Sequence, residues 1–227
     1  MSPEGATTSV STNDLVAPSG LREKQPRAME KDLMSTKNAA NKKPPIQFED
    51  GLIAARIVHD AAKSEGKKVA LCGGLALHFY GFTRATRDID LIGQAKLHFK
   101  ELRKLNFGGV AYGIDVHGTT MEVDLILRSD DVKELYDLAL ENSKFNPKIG
   151  LHVITPEYLV ILKYLSGRGK DQIDLMWLLR EEKLVNRKKV KSIITKQMGK
   201  HSYWAMRDLD QLFLEADLLK ARDEKME

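Results

Sequence analysis

GGLALHFYGFTRATRDIDLIG, residues 73–93, is the stretch from which the fold is read. Its last part, Arg87-Asp88-Ile89-Asp90-Leu91-Ile92, alternates polar with apolar, the period of a strand. Side chains on a strand alternate faces, so Asp88 and Asp90 project to one side while Ile89 and Leu91 point into a core. Upstream, Lys68 to Cys72 reads as a short strand, and Gly73-Gly74 turns it into a compact helix through Phe79 and Tyr80. Bare backbone N–H groups at such a turn suit a phosphate; an ordinary strand-to-helix turn accounts for the two glycines equally well. Downstream, Glu122-Val123-Asp124-Leu125-Ile126-Leu127 alternates in the same way, which puts Asp124 opposite the apolar Val123 and Leu125. If the two strands are neighbours, three carboxylates converge, and unneutralised they would raise one another's pKa. A hard divalent cation, Mg²⁺ or Mn²⁺, removes that cost by taking a few carboxylates plus substrate phosphate oxygens. Two such ions could align the attacking and leaving oxygens of an in-line displacement at phosphorus. Taken alone, Asp-x-Asp is also the wet face of an edge strand.

Around this centre the chain alternates helical and extended patterns. Leu52, Ile53, Ile57, Val58 and Ala61 recur at helical spacing, and Gly66 closes that helix. Ala95 to Leu105 is expected to be helical. Val110 to Val116 and Met121 to Leu127 are β-type runs around Gly118-Thr119-Thr120, expected to form a hairpin. A helix from Asp131 to Leu140 and a short strand from Leu151 to Ile154 follow. Thr155-Pro156 then starts a helical remainder, with Thr as N-cap and Pro in the first turn. Its helices run through Lys163, from Lys170 to Glu182, from Arg187 to Met198 and from Ser202 to about Leu219.

A Gly-Gly turn, 13 residues (Leu75 to Arg87), Asp-x-Asp before hydrophobics and a third Asp on a later strand resemble the polymerase-β-type nucleotidyltransferase superfamily. More narrowly, the stretch is similar to AbiEii-type and related minimal nucleotidyltransferases. These write Gly-Gly-x-Ala-Leu, an aromatic or His with Gly, then Arg-x-Thr-x-Asp-Ile-Asp-Leu. Gly73, Gly74, Ala76, Leu77, Gly81, Arg84, Thr86, Asp88, Ile89 and Asp90 fall on that pattern. The resemblance implies an α+β fold: a small mixed sheet flanked by helices, followed by a helical C-terminal region. It implies metal on Asp88, Asp90 and Asp124, with Asp124 helping to deprotonate the attacking hydroxyl, and nucleotide contacts from Gly73, Gly74, Arg84 and Thr86. It also implies transfer of a nucleotidyl group from an NTP to a hydroxyl acceptor, tRNA or protein, in a toxin–antitoxin or phage-defence setting. Two other readings stand beside it: a catalytically silent, nucleotide-binding regulatory or partner protein, and a small-molecule (antibiotic) nucleotidyltransferase.

Tyr158 to Leu165 is apolar all round a helix, so that helix is buried, and Lys163 is its one charge. A buried ammonium is costly unless paired, so Lys163 either snorkels to the surface or faces an anionic cleft. AbiEii-like proteins carry a Lys on this helix, then an Arg-x-Lys-Asp-x-x-Asp block that Arg168-Gly169-Lys170-Asp171-Gln172-Ile173-Asp174 matches. By that resemblance Lys163 contacts nucleotide phosphates or a site carboxylate, with Arg168, Lys170, Asp171 and Asp174 supporting it from behind. Asp171 and Asp174 share one helical face, and Asp171 is the alternative anchor for Lys163. His78, on an otherwise apolar helix, reads as a satisfied core residue.

From Lys183 to Lys200 there are seven basic residues and no acidic one. Such a run is a solvated face, or, beside a phosphate-handling site, a track for RNA. The last helix, with Trp204, Leu209, Leu212, Phe213, Ala216 and Leu219 at helical spacing, reads as core or as a face for a protein partner. Residues 1–45, rich in Ser, Thr, Asn, Pro and Lys without apolar periodicity, are expected to be a disordered tail ahead of a nucleotidyltransferase core, 46–154, and a helical region completing the cleft, 155–227. The 227 residues are 42% hydrophobic and 30% charged with a net charge of +4, the composition of a water-soluble globular chain without a membrane span. One cysteine, Cys72, and no apolar leader point to a reducing compartment, the cytoplasm. Six scattered His and that one Cys offer no zinc spacing.

Overall fold

The computed structural model describes residues 43–199 and 202–226. The expected tail therefore lies outside the described residues up to position 42. Its last part, 43–45, belongs to the body instead. Lys43 pairs with Glu122 at 2.6 Å, and the Ile46 N–H donates to the Thr86 carbonyl at 2.8 Å.

Helix α1, Phe48–Ser64, presents Leu52, Ala54, Ala55, Val58 and Ala62 as a buried stripe, and Gly66 at φ +67° ends it. Strand β1, Val69–Cys72, runs directly into the short helix α2, Gly73–Phe79. Strands β2, Ile89–Gly93, β3, Glu101–Lys104, β4, Gly109–Val116, and β5, Thr119–Ile126, follow. Helix α3, Lys133–Glu141, and strands β6, Lys144–Asn146, and β7, Leu151–Val153, complete a seven-stranded sheet in the order β3-β4-β5-β2-β1-β7-β6. The sheet is mixed: β2 runs parallel to β5 and β1 parallel to β7, while the other neighbours are antiparallel. Four helices close the chain: α4, Pro156–Ser166, α5, Gly169–Arg180, α6, Arg187–Met198, and α7, Ser202–Asp223. None of the described helices is long and apolar enough to cross a membrane.

The α+β architecture expected from the sequence is the one observed, and the β4–β5 hairpin falls where Gly118 predicts it, at φ +77°. One expected element is overturned. Ala95 to Leu105 is not a helix: it runs irregularly into β3, whose partner is β4 through pairs such as Lys104↔Val110. Leu97 and Leu105 sink into the core, and the Tyr112 hydroxyl bonds both the N–H and the carbonyl of Leu97. All four β3 residues are exposed, so this edge strand carried no alternation to read, and its Glu, Arg and Lys suit an edge that must not pair with another chain. The α4 start differs in detail. Thr155 is the N-cap residue, but its hydroxyl donates to Glu157 Oε2 at 2.6 Å and caps nothing with its own oxygen.

Candidate active site

Parallel pairing of β2 with β5 sets Asp90 opposite Asp124, with Ile89↔Val123 and Leu91↔Leu125 on either side. The apolar neighbours are fully buried, and they fix this register because a slip of one residue would turn them to solvent. Asp88 lies two residues before Asp90, and Cys72, the last residue of β1, pairs with Asp90 from the other side. Gly73 stands at φ +63°, and a Cβ there would come 2.0 Å from Asp90 Oδ2. A Cβ on Gly74 would meet Thr86 Oγ1 at 2.5 Å. Both glycines are thus required by packing: the first lets the Asp90 carboxylate lie against the turn, the second lets Thr86 lie buried beneath it. Thr86 in turn donates to the Asp88 carbonyl at 3.3 Å.

Burial pushes the Asp90 carboxyl up to about 6, and the carboxylates of Asp88 and Asp124 add to the shift. Burial also raises Asp124, against the pull of Arg103. Arg103 comes from β3 and lies 3.1 Å from Asp124, sharing its guanidinium with Glu122. Asp88 has Lys170 at 3.5 Å. Each outer carboxylate therefore faces a basic side chain. Among the described residues no three His, Cys, Asp or Glu side chains form a group that could share one metal ion. The donor chemistry still fits a hard cation. Asp90 is desolvated next to two further carboxylates, and the basic side chains opposite Asp88 and Asp124 are only half buried.

A cavity of about 270 Å³ opens beside these residues. Gly73, Gly74, Asp88, Asp90, Lys170 and Arg168 line its polar part, and Phe107, Ile126, Tyr136, Leu159 and Leu162 its apolar part. Asp124 is not in the lining; it sits behind Asp90 on the next strand. Arg128, held by Asp130, lies over the rings of both Phe107, at 5.7 Å, and Tyr136, at 5.3 Å.

Lys163 does not snorkel. Its Nζ is 2.6 Å from Asp171 and 2.7 Å from Asp174, and the side chain is 8% exposed against two carboxylates that are wholly buried. Asp174 also takes two hydrogen bonds from Arg84, one of them at 2.6 Å, and Asp171 takes bonds from Ser166 and, at 2.5 Å, from Arg168. Burial alone would raise Asp171, but these donors outweigh it and hold the carboxyl down at about 2. The network ties α4 and α5 to the loop that carries Arg84, Thr86 and Asp88. Arg84 and Lys163, expected at nucleotide phosphates, line the cavity but spend their charge on Asp174 and Asp171. His78 bonds the Arg84 carbonyl, a structural role matching its expectation.

Two features were not read from the sequence. Arg103 lay in a segment read as helical, so its reach to Asp124 was hidden. The basic run is also less free than its composition suggests. Arg187 pairs with Asp217 at 2.5 Å, Lys189 with Glu157 at 3.3 Å and Lys191 with Asp210, the acids coming from α4 and α7. Lys200 lies outside the described residues.

No family model and no curated protein matches the chain. Solved structures similar to it include an antigenic nucleotidyltransferase-like protein from Paracoccidioides brasiliensis, 18% identical, covering 60% of this chain and 78% of that one at a TM-score of 0.45. A candidate nucleotidyltransferase from H. pylori is 17% identical, covering 79% and 96% respectively, TM-score 0.44. The antibiotic-resistance factor ANT(2'')-Ia is 11% identical, covering 78% and 96%, TM-score 0.38.

Proposed function

We propose that the chain is a metal-dependent nucleotidyltransferase, moving a nucleotidyl group from an NTP to a hydroxyl acceptor with release of pyrophosphate. The observation that carries this reading is the Asp90↔Asp124 register, with Asp88 two residues upstream, beside a Gly-Gly turn and a cavity with one polar and one apolar part. Released by Arg103 and Lys170 and brought closer together than they stand here, Asp88, Asp90 and Asp124 would hold the divalent cation, Mg²⁺ or Mn²⁺, which supplies charge neutralisation and Lewis acidity at the phosphoryl group when bound. Arg168, paired with Asp171, and Lys170, 3.5 Å from Asp88, are exposed on the cavity wall and would supply positive charge for the triphosphate. Phe107, Ile126, Tyr136 and Leu159 exclude water from the other side. Proton abstraction from the acceptor hydroxyl by Asp124 would require Arg103 to leave its carboxylate and the acceptor to reach behind Asp90.

A second reading, nucleotide binding without turnover, is favoured by one observation. Lys170 and Arg103 stand on Asp88 and Asp124, and Arg84 is committed to Asp174. Incubation with each α-labelled NTP, Mg²⁺ and either total RNA or cell lysate separates the two. Covalent label on RNA, protein or a small molecule supports transfer and identifies the acceptor. Saturable NTP binding without covalent label supports the second reading.

A further inference from the structure

A second hollow, of about 250 Å³, shares no lining residue with the carboxylate cleft. It is walled by His59 and Lys63 from one face of α1, by Lys67 and Lys68 from the turn into β1, and by Phe145 and His152 from the paired strands β6 and β7. Val69 completes the lining, and five of the seven side chains are cationic or can become so. His59 is buried, and its Nε2 lies 3.1 Å from His152 Nδ1, while its Nδ1 lies 3.2 Å from Asp60 Oδ1. The two imidazoles and the half-exposed Phe145 ring form one aromatic cluster, with centroids 5.3 to 6.2 Å apart.

The charges there are poorly compensated. Lys67 is satisfied by Glu65, at 2.6 Å, and the Lys96 carbonyl. Lys68 has a carbonyl oxygen, that of Glu141, at 3.0 Å, and Lys63 has no ion-pair partner among the described residues. The charged or titratable groups around His152 are His59 and Lys63 on α1 and Lys67 and Lys68 on the turn, with Lys144 on the paired strand β6. Burial lowers His152, and Lys68, His59 and Lys63 push it further down. Burial and the neighbouring Lys144 likewise lower Lys68, against the pull of Glu141. Lys63, Lys68 and His152 thus share one hollow with no ion-pair partner among the described residues, and His152 Nε2 has no protein partner among them.

We infer that this hollow binds a small phosphate-type anion, held by Lys63, Lys68 and the Nε2–H of protonated His152. A dianion with several acceptor oxygens matches three donors on the walls of one hollow, drawn from different elements. Asp60, His59 and His152 form a hydrogen-bonded line behind the anion, which allows His152 to carry a proton while its Nδ1 stays bonded to His59. Binding and protonation of His152 are therefore coupled. Once the anion's own protonation is taken into account, affinity for the dianion rises as the pH falls through the ordinary histidine range, near 6.5, and levels off once the free protein is itself protonated. None of this depends on the activity proposed for the carboxylate cleft.

The test follows histidine ring signals of the full chain by NMR at constant ionic strength, titrating inorganic phosphate and, separately, pyrophosphate. His152 is assigned through His152→Gln, and His78, which does not line this hollow, is the control. The expected result is a saturable shift of the His59 and His152 signals, with the His152 titration moved upward when the anion is bound. Lys63→Ala should weaken binding about fivefold, as for a partly exposed charge pair. Tighter binding of pyrophosphate assigns the site to condensed phosphates, and equal binding assigns it to a single phosphate group. The inference is overturned if chloride or acetate moves the signals equally, or if the Lys63→Ala, Lys68→Ala double variant binds as tightly as wild type.

Discussion

Replacing Lys163 by Met tests the buried network that joins the helical region to the sheet. Methionine keeps the length and apolar stem of lysine, so the change removes the ammonium with little loss of packing. What remains is two wholly buried carboxylates. Breaking a buried ion pair from one side costs about 3–5 kcal/mol, because the partner is left charged and desolvated. Here each carboxylate keeps another partner, Arg84 on Asp174, and Ser166 with Arg168 on Asp171. The cost therefore falls at the low end, about 3 kcal/mol. For a domain of this size that lowers Tm by roughly 6–12 °C. The assay is urea unfolding followed by circular dichroism, with wild type, Lys163→Met, Asp171→Asn and the double variant measured together. Neutralising Asp171 removes one of the stranded charges, so the double variant should be less destabilised than the sum of the singles by at least about 1 kcal/mol. A Lys163→Met cost below about 1 kcal/mol with additive singles would refute the reasoning, since only a solvated ammonium is lost so cheaply.

Acid should unfold the chain through the same network. The Asp171 carboxyl is held at about 2 against an ordinary 3.8, so its stabilisation is complete above pH 4 and lost as the pH falls toward 2; Asp174 shifts in the same direction. A pH series of urea midpoints should therefore drop between those values, and a flat profile there would contradict it. Gly73 and Gly66 have similar φ, +63° and +67°, but only Gly73 has a carboxylate where its Cβ would go. Gly66→Ala should cost about 1–2 kcal/mol from backbone strain alone and Gly73→Ala clearly more, measured by the same unfolding curves. Equal costs would mean that Asp90 does not lie against the turn. Arg103 is half exposed, so Arg103→Met should change stability by less than about 1 kcal/mol. It should also tighten Mn²⁺ binding, read by electron paramagnetic resonance, because the competing charge on Asp124 is gone; unchanged or weaker binding would count against a cation at that carboxylate.

The fold centre was legible because local pattern and tertiary pairing agree there. Alternation placed Asp88, Asp90 and Asp124 on polar faces, and the apolar residues between them enforce the register that brings Asp90 and Asp124 together. The apolar surround of Lys163 showed that it needed a partner, and Asp171 was already a candidate; Asp174, which closes the pair, was legible only as sharing its face. What stayed hidden has a common cause. β3 and the three-residue β6 exist through pairing with β4 and β7, and their own residues carry no alternating signal. The acids that neutralise Arg187, Lys189 and Lys191 lie 30, 32 and 19 positions away along the chain, so the basic run looked unopposed. His59 and His152 are 93 residues apart, and nothing in either neighbourhood announces the other.

The most direct test of the central claim is the rate of covalent nucleotidyl transfer from α-labelled NTP by Asp90→Asn beside wild type, at saturating Mg²⁺, with circular dichroism showing both folded. Asp90 would hold the cation that neutralises charge at the phosphoryl group, and losing that cation is worth several kcal/mol, so the account predicts a fall of at least about a hundredfold. The same protein should unfold at equal or higher urea, because replacing the buried carboxylate relieves its repulsion with Asp88 and Asp124. A folded Asp90→Asn protein that transfers label within about a factor of two of the wild-type rate would contradict it.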